Sequence, residues 1–90
     1  MDTAAFEARL KSEGYTEIRT NSLEPKRHNP EHSHTWDVLA LVLDGDITLT
    51  IDGKPTNYAS GQQFTMQAGC LHIEDAGLHG VRYLVGRRPK

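Results

Sequence analysis

The spacing of apolar residues divides the chain into one short helix followed by a series of short strands. Phe6 and Leu10 stand four residues apart within residues 3–13, so both fall on one face of a helix. Asp2 or Thr3 is placed to cap its first turn, because a short polar side chain there accepts a backbone N–H. The rest of the chain shows no second segment with helical spacing.

Past the helix, the pattern changes to β-like runs separated by turn residues. Trp36–Leu43 is almost wholly apolar, which predicts a strand covered on both faces. Ile47–Ile51 alternates apolar residues with threonine and lies between a predicted turn at residues 44–46 and a second turn at Asp52-Gly53. Together these segments predict an all-β sandwich or barrel. The remaining predicted strands are Thr16–Thr20, Gln63–Gln67, Leu71–Glu74 and Val81–Val85.

Composition and charge exclude several classes of protein. A chain of 90 residues makes one domain, and its formal net charge of −2 does not provide the basic face that nucleic-acid binding needs. The longest apolar run, Val38–Leu43, is too short to cross a bilayer, and the single cysteine, Cys70, allows no internal disulfide. The N-terminal residues lack the pattern of a secretory signal, so we expect a cytoplasmic protein. The basic tail at residues 87–90 is expected to fray.

Histidines carry the candidate chemistry. On a strand, His32 and His34 point to the same face, where two imidazoles suit a transition metal such as zinc, iron, manganese or nickel. His72, at the start of another apolar run, is a third candidate ligand. The alternative interpretation of His32 and His34 is a pair of surface histidines beside a proline turn. His28 and His79 are interpreted as surface or pocket-rim residues.

Glycines and histidines recur at fixed spacing in two stretches of the chain. His32, His34 and Gly45 fit the pattern G-x5-H-x-H-x3,4-E-x6-G, and Gly61, Gly69 and His72 fit the pattern G-x5-P-x-G-x2-H-x3-N. These are the two motifs of the cupin family, which the chain resembles from about Thr16 to Val85. The resemblance implies a cupin double-stranded β-helix, or jelly-roll barrel, over residues 15–86, with the short helix of residues 1–14 outside it.

The resemblance also implies partners. It implies one divalent transition metal (Zn, Mn, Fe or Ni), a small-molecule ligand or substrate, and a homodimer formed through exposed edge strands. Ile18 and Val81–Val85 mark the candidate edges. No nucleic-acid or membrane partner is expected. Four large residues are expected to line the barrel interior or an interface: Trp36, Phe64, Met66 and Tyr83.

Four positions depart from the motifs. Lys26 replaces the first glycine, Gln67 replaces the proline and Ala76 replaces the asparagine. Val38 stands where the family carries its metal-binding glutamate. The resemblance therefore supplies three histidine ligands without the usual carboxylate.

Other side chains are candidates for the fourth ligand. Glu74 lies two residues after His72 and on a regular strand shares its face, whereas Asp37 needs a strand bulge to turn inward. Cys70 lies two residues before His72, beside a glycine turn. Glu74 is preferred over water, with Asp37 next, although it also fits an ordinary strand-end carboxylate. The predicted metal ligands are His32, His34, His72 and Glu74.

Two functions fit this sequence. The first is a small metal-binding cupin that acts on or binds a small metabolite, and the histidine triad favours it. The second is a non-catalytic small-molecule-binding or sensor module without metal, which Val38 favours. No catalytic residue is assigned, since only Glu74, Asp37 and His79 have a side chain of the right type for a general base near the metal.

Overall fold

One helix and six strands form the fold, and the computed structural model describes them for residues 1–89. Asp2 accepts a hydrogen bond from the Ala5 N–H at 2.9 Å, so it caps the helix as one of the two expected residues. This helix, the only one in the described part of the chain, is too short to cross a membrane. The elements in chain order are α1 (Thr3–Ser12), β1 (Glu17–Leu23), β2 (His28–His32), β3 (Trp36–Ile51), β4 (Lys54–Ala59), β5 (Gln63–Met66) and β6 (His72–Pro89).

Two long strands, β3 and β6, pair along most of their length and bend together. One paired segment joins residues 36–45 of β3 to residues 81–89 of β6, and the other joins residues 47–50 to residues 73–76. β1 and β5 flank the first segment, while β2 and β4 flank the second. The bend therefore produces two layers that share β3 and β6, and the predicted all-β jelly roll is confirmed.

The bend in β3 lies at Gly45, and the turn predicted for residues 44–46 is wrong. β3 continues through these residues with two register shifts against β6, so the chain bends without reversing. Gly45 has a φ of +73°, and a Cβ at this position would lie 2.0 Å from the Gly80 carbonyl oxygen. Glycine is needed here because the two backbones touch. A corresponding bend in β6 merges the predicted strands Leu71–Glu74 and Val81–Val85 into one.

The second predicted turn is confirmed. Asp52 and Gly53 have φ values of 53° and 74° and connect Ile51 to Lys54, which are partners in the β3/β4 ladder. Two consecutive left-handed residues are the geometry of a two-residue hairpin turn, in which Asp-Gly is favoured. Neither β4 nor β2 is among the strands that the apolar pattern predicts, because each contains a proline and lacks apolar alternation. The strand expected to hold both His32 and His34 ends at His32.

Apolar side chains cover both faces of the first half of β3, as its composition predicts. Leu39 and Leu41 are buried against Phe6 and Leu10 of α1. The alternate residues of β3 face the other layer, where they form the interior of the barrel. This inner cluster contains Val38, Ala40, Val42, Ile47, Leu49, Phe64, Met66, Ala76, Val81, Tyr83 and Val85.

The C-terminal residues belong to the sheet, so the expectation that the basic tail frays is wrong for residues 87–89. They continue β6, and Arg88 forms an ion pair with Asp37 at 3.0 Å. Arg88 also donates a hydrogen bond to the Glu13 carbonyl at 2.7 Å, which ties the end of α1 to the strand. Lys90 lies outside the described residues.

The structure corrects one of the two candidate dimer edges. Val81–Val85 pairs with β1 on one side and β3 on the other, so it is an interior segment of the sheet. β1, which contains Ile18, pairs with β6 alone among the described residues and lies at the end of the strand order. Of the two candidates, β1 is therefore the one that lies at an edge of the sheet.

Lys26 is expected to reduce stability where it replaces the first motif glycine. Its φ of 60° lies in the left-handed region, and its N–H donates to the Gly77 carbonyl at 3.0 Å. A side chain costs about 1–2 kcal/mol in that conformation, partly offset in glycine by greater flexibility of the unfolded chain. Lys26→Gly is therefore expected to raise the free energy of unfolding by about 0.5–1 kcal/mol. Urea denaturation measures this, and an unchanged or lower value would contradict it.

Candidate metal centre

The predicted ligand set meets where β2 ends and β6 begins. His32, the last residue of β2, is the ladder partner of His72, the first residue of β6. Their ring centroids lie 4.3 Å apart, and the His34 ring lies 5.0 Å from one and 5.2 Å from the other. With Glu74, each of these residues offers a ligand atom, and all four atoms lie within 4.8 Å of one another. Two stretches of the sequence, residues 32–34 and 72–74, thus form one cluster.

Backbone carbonyls fix the tautomers of two of the histidines. Nδ1 of His32 lies 2.8 Å from the Pro30 carbonyl oxygen, and Nδ1 of His72 lies 3.0 Å from that of Cys70. Because a carbonyl only accepts, each Nδ1 carries the hydrogen and donates it. The Nε2 atom of each neutral ring is then left with a lone pair, which is the state that binds a metal.

Glu74 directs one carboxylate oxygen at these lone pairs. Its Oε2 lies 3.2 Å from Nε2 of His72 and 3.8 Å from Nε2 of His32. Its other oxygen, Oε1, accepts a hydrogen bond from the Asn29 side chain at 2.9 Å. A carboxylate oxygen and a ring lone pair repel at such distances unless a cation or a proton lies between them. A metal ion, or a proton shared between Glu74 and a ring, would relieve this repulsion.

His34 completes the cluster from the segment between β2 and β3. Its ring stacks on Trp36 with centroids 5.0 Å apart and an interplanar angle of 6°, and its carbonyl accepts the Gly69 N–H at 2.8 Å. Burial lowers the pKa of His34 below its ordinary value of 6.5, and the neighbouring His72 and His32 lower it further. The neutral, metal-binding form of His34 is thus favoured.

Comparison with known proteins identifies the family. A sequence model described as "Cupin domain" matches residues 20–76, which is more than half of the chain. This chain belongs to the cupin domain family. A search of curated proteins gave no match.

Solved structures show the same fold in other cupins and in proteins of unknown function. This cupin aligns with a protein of unknown function from Rhizobium leguminosarum at a TM-score of 0.76 and 18% identity, covering 81% of this chain and 69% of the other. A conserved protein of unknown function from Streptococcus pyogenes shares 30% identity at a TM-score of 0.68, and the alignment covers 81% of this chain and 64% of that protein. The polyketide cyclase RemF from Streptomyces resistomycificus shares 23% identity at a TM-score of 0.68, and the alignment covers 78% of this chain and 52% of the cyclase.

The cupin brings Glu74, and not the other carboxylate candidate, to the cluster. Asp37 accepts the Ala68 N–H at 2.8 Å and pairs with Arg88, and it is not among the clustered ligand atoms. Cys70 contributes its carbonyl to His72, not its thiol. Three imidazoles and a carboxylate are a donor set used for zinc and other transition metals. Metal–ligand bonds of about 2.0–2.2 Å place ligand atoms roughly 3–3.5 Å apart, so the donor set fits after a small contraction.

A cavity of about 40 Å³ adjoins the cluster inside the barrel. The four large residues predicted to line the barrel interior or an interface, Trp36, Phe64, Met66 and Tyr83, all line this cavity, together with His34 and Glu74. Burial raises the pKa of Tyr83, and the negative charge of Glu74 raises it further, so the phenol keeps its proton. A larger groove of about 580 Å³ beside α1 contains none of the clustered histidines.

Two residues of the site were missed by sequence reasoning. Asn29, which orients Glu74, lies on a strand that the pattern did not predict. Arg87, which lines the cavity and covers Trp36 at 4.5 Å from its ring centroid, was assigned to the fraying tail. His28 and His79 are exposed and outside the cluster, as expected, and Nδ1 of His28 lies 2.6 Å from a carboxylate oxygen of Asp75.

Proposed function

We propose that this cupin binds one divalent transition metal through His32, His34, His72 and Glu74, and presents it to a small-molecule ligand in the adjoining cavity. The observation that carries the proposal is the approach of the Glu74 carboxylate to two ring nitrogens whose hydrogens are held on the opposite side of each ring. A divalent ion satisfies all of these acceptors at once.

The residues around the cavity set what such a metal can do. Bound there, it would act as a Lewis acid that polarises an oxygen atom of the ligand. Val38, Phe64 and Met66 give the cavity apolar walls on one part of its surface, and the neutral Tyr83 hydroxyl can donate a hydrogen bond to that ligand. The four ligands suit Zn, Mn, Fe or Ni, and availability in the cell selects among them.

A second candidate is a small-molecule-binding module without metal. The observation that favours it is the same contact, because a proton on Nε2 of His72 lets that ring donate to Glu74 at 3.2 Å. Val38 at the family's carboxylate position agrees with this alternative. The two candidates differ in their response to added metal.

Thermal unfolding of untagged protein with and without Zn²⁺ separates the candidates. Zinc at 100 times its dissociation constant is expected to add about 2.7 kcal/mol to the free energy of unfolding, or roughly 10–20 °C in Tm. The double variant His32→Ala/His72→Ala should show no shift. The matched control His28→Ala/His79→Ala loses two exposed histidines and should keep it. Equal shifts in both double variants, or none in the wild type with any of the four metals, would favour the module without metal.

Metal affinity is expected to fall as the pH drops. Protons compete for the same nitrogen atoms, and burial, with the neighbouring His72 and His32, lowers the pKa of His34, so this residue keeps its metal-binding form to a lower pH than an ordinary histidine does. Competition with a chromogenic chelator between pH 8 and 5 measures the affinity. Constant affinity over this range would contradict histidine ligation.

We also propose that the protein forms a homodimer through the free edge of β1. Among residues 1–89 this strand pairs on one side only, and pairing two copies across a two-fold axis would satisfy its other backbone groups. Sedimentation across micromolar concentrations should give the dimer mass, and Ile18→Pro should reduce it to the monomer. A monomer mass at every concentration would contradict the proposal.

A further inference from the structure

We propose that the cavity beside the metal site takes a small carboxylate anion and that Arg87 binds its carboxylate group. This inference rests on the proposed metal site and names the chemical class of its ligand. Three features of the molecule support it: the position of the Arg87 guanidinium, the weakness of its ion pairing within the chain, and the size and charge of the cavity.

Arg87 lies at the cavity over the Trp36 ring, which also stacks on His34. Its guanidinium carbon lies 4.5 Å from the centroid of the Trp36 ring, and Trp36 stacks in turn on His34. Stacking on an aromatic face fixes the plane of a guanidinium while leaving its N–H groups free to point sideways. The positive charge is therefore at a fixed position relative to the metal ligands.

The guanidinium has one acidic partner, Glu17, at the limit of ion-pair distance. Within residues 1–89, its only ion pair is with Glu17 at 4.0 Å, and that carboxylate is 56% exposed. Its ladder partner on β3 is Val38, the position where the cupin motif carries a glutamate. The valine thus removes the carboxylate that would face Arg87 across the sheet. A fork of N–H donors is left for an acceptor that enters the cavity.

The charge and volume of the cavity select the ligand. A divalent ion and the Glu74 carboxylate leave one net positive charge, and Arg87 adds a second, so an anion is favoured. The cavity of about 40 Å³ has room for only a few non-hydrogen atoms, and Val38, Phe64 and Met66 give it apolar walls. A planar carboxylate on a short carbon chain matches both the guanidinium fork and these walls.

Propionate and its neutral isostere propionamide test this inference on the Co²⁺-loaded protein. Titration is followed by the visible absorption bands of Co²⁺, which respond to ligands near the metal and not to turnover. Propionate is expected to bind at least about tenfold more tightly than propionamide, because a charge-assisted pair with arginine is lost in the amide.

Two matched variants distinguish direct binding of the carboxylate by Arg87 from a long-range effect of its positive charge. Arg87→Gln should weaken propionate binding at least about tenfold while leaving Co²⁺ stoichiometry unchanged. Arg19→Gln removes the same charge from an exposed position on β1, opposite Val85 in the ladder, and should change the affinity less than about twofold.

The outcomes distinguish this inference from the metal site itself. Stoichiometric Co²⁺ with equal binding of the acid and the amide, or with no effect of Arg87→Gln, overturns the carboxylate assignment and leaves the metal site in place. Failure of the wild type to bind Co²⁺ at all overturns the proposed metal site, and the inference with it.

Discussion

Glutamine in place of Glu74 is expected to lower the metal affinity of this cupin at least about 100-fold. Glu74→Gln keeps the side-chain size and an oxygen that can accept the Asn29 hydrogen bond, but it removes the negative charge that faces His32 and His72. Removing a residue that only hydrogen-bonds to a metal ligand already lowers metal affinity roughly 10–100-fold. Removing the charge of a ligand itself should lower it at least as much. Competition with a chelator of known affinity measures the change.

A carboxylate returned to the family's usual position should restore binding. In Val38→Glu/Glu74→Gln the glutamate stands at the motif position, opposite Arg87, whose charge offsets its burial. We expect affinity within about tenfold of the wild type. The control Val38→Gln/Glu74→Gln has the same shape without the charge and should stay weak. Wild-type affinity in Glu74→Gln alone would show that water completes the site and that Glu74 is an ordinary strand-end carboxylate.

Alanine at Gly45 is expected to reduce the free energy of unfolding by about 3–5 kcal/mol. Its Cβ would meet the Gly80 carbonyl oxygen at 2.0 Å and the carbonyl carbon at 2.8 Å, so the backbones of β3 and β6 would have to separate where they bend. The left-handed φ of +73° adds a conformational cost of about 1–2 kcal/mol. Urea denaturation followed by circular dichroism measures the loss.

Gly53→Ala separates the clash from the conformational cost. Gly53 has nearly the same φ, +74°, but a Cβ there would meet nothing within 4 Å. Gly53→Ala should therefore lower the free energy of unfolding by the conformational cost alone, about 1–2 kcal/mol. Equal losses in the two variants would show that the contact between the bent strands contributes nothing.

The local sequence pattern predicts those parts of the fold that depend only on residues close together in the chain. The α1 face of Phe6 and Leu10, the Asp52-Gly53 turn and the doubly covered first half of β3 depend on neighbours in sequence. The bend at Gly45 was misread as a turn because the deciding contact comes from Gly80, on another part of the chain. A glycine between apolar runs has the same local pattern in both cases.

The candidate site likewise contains residues that sequence pattern predicts and residues that it does not. His32, His34 and His72 could be predicted as candidate ligands because motif spacing is a property of the sequence, and Glu74 because on a regular strand it shares a face with His72. Asn29 and Arg87 were missed because their partners, Glu74 and Trp36, are brought to them only by the pairing of β6 with β2 and β3. No local signal distinguishes such residues from exposed polar ones.

Elemental analysis of untagged protein tests the metal site most directly. After incubation with each candidate metal and removal of the excess, the wild type and His28→Ala/His79→Ala are predicted to retain about one ion per chain. His32→Ala/His72→Ala is predicted to retain none. A wild type as free of metal as this last variant, with all three proteins folded, would contradict the metal site.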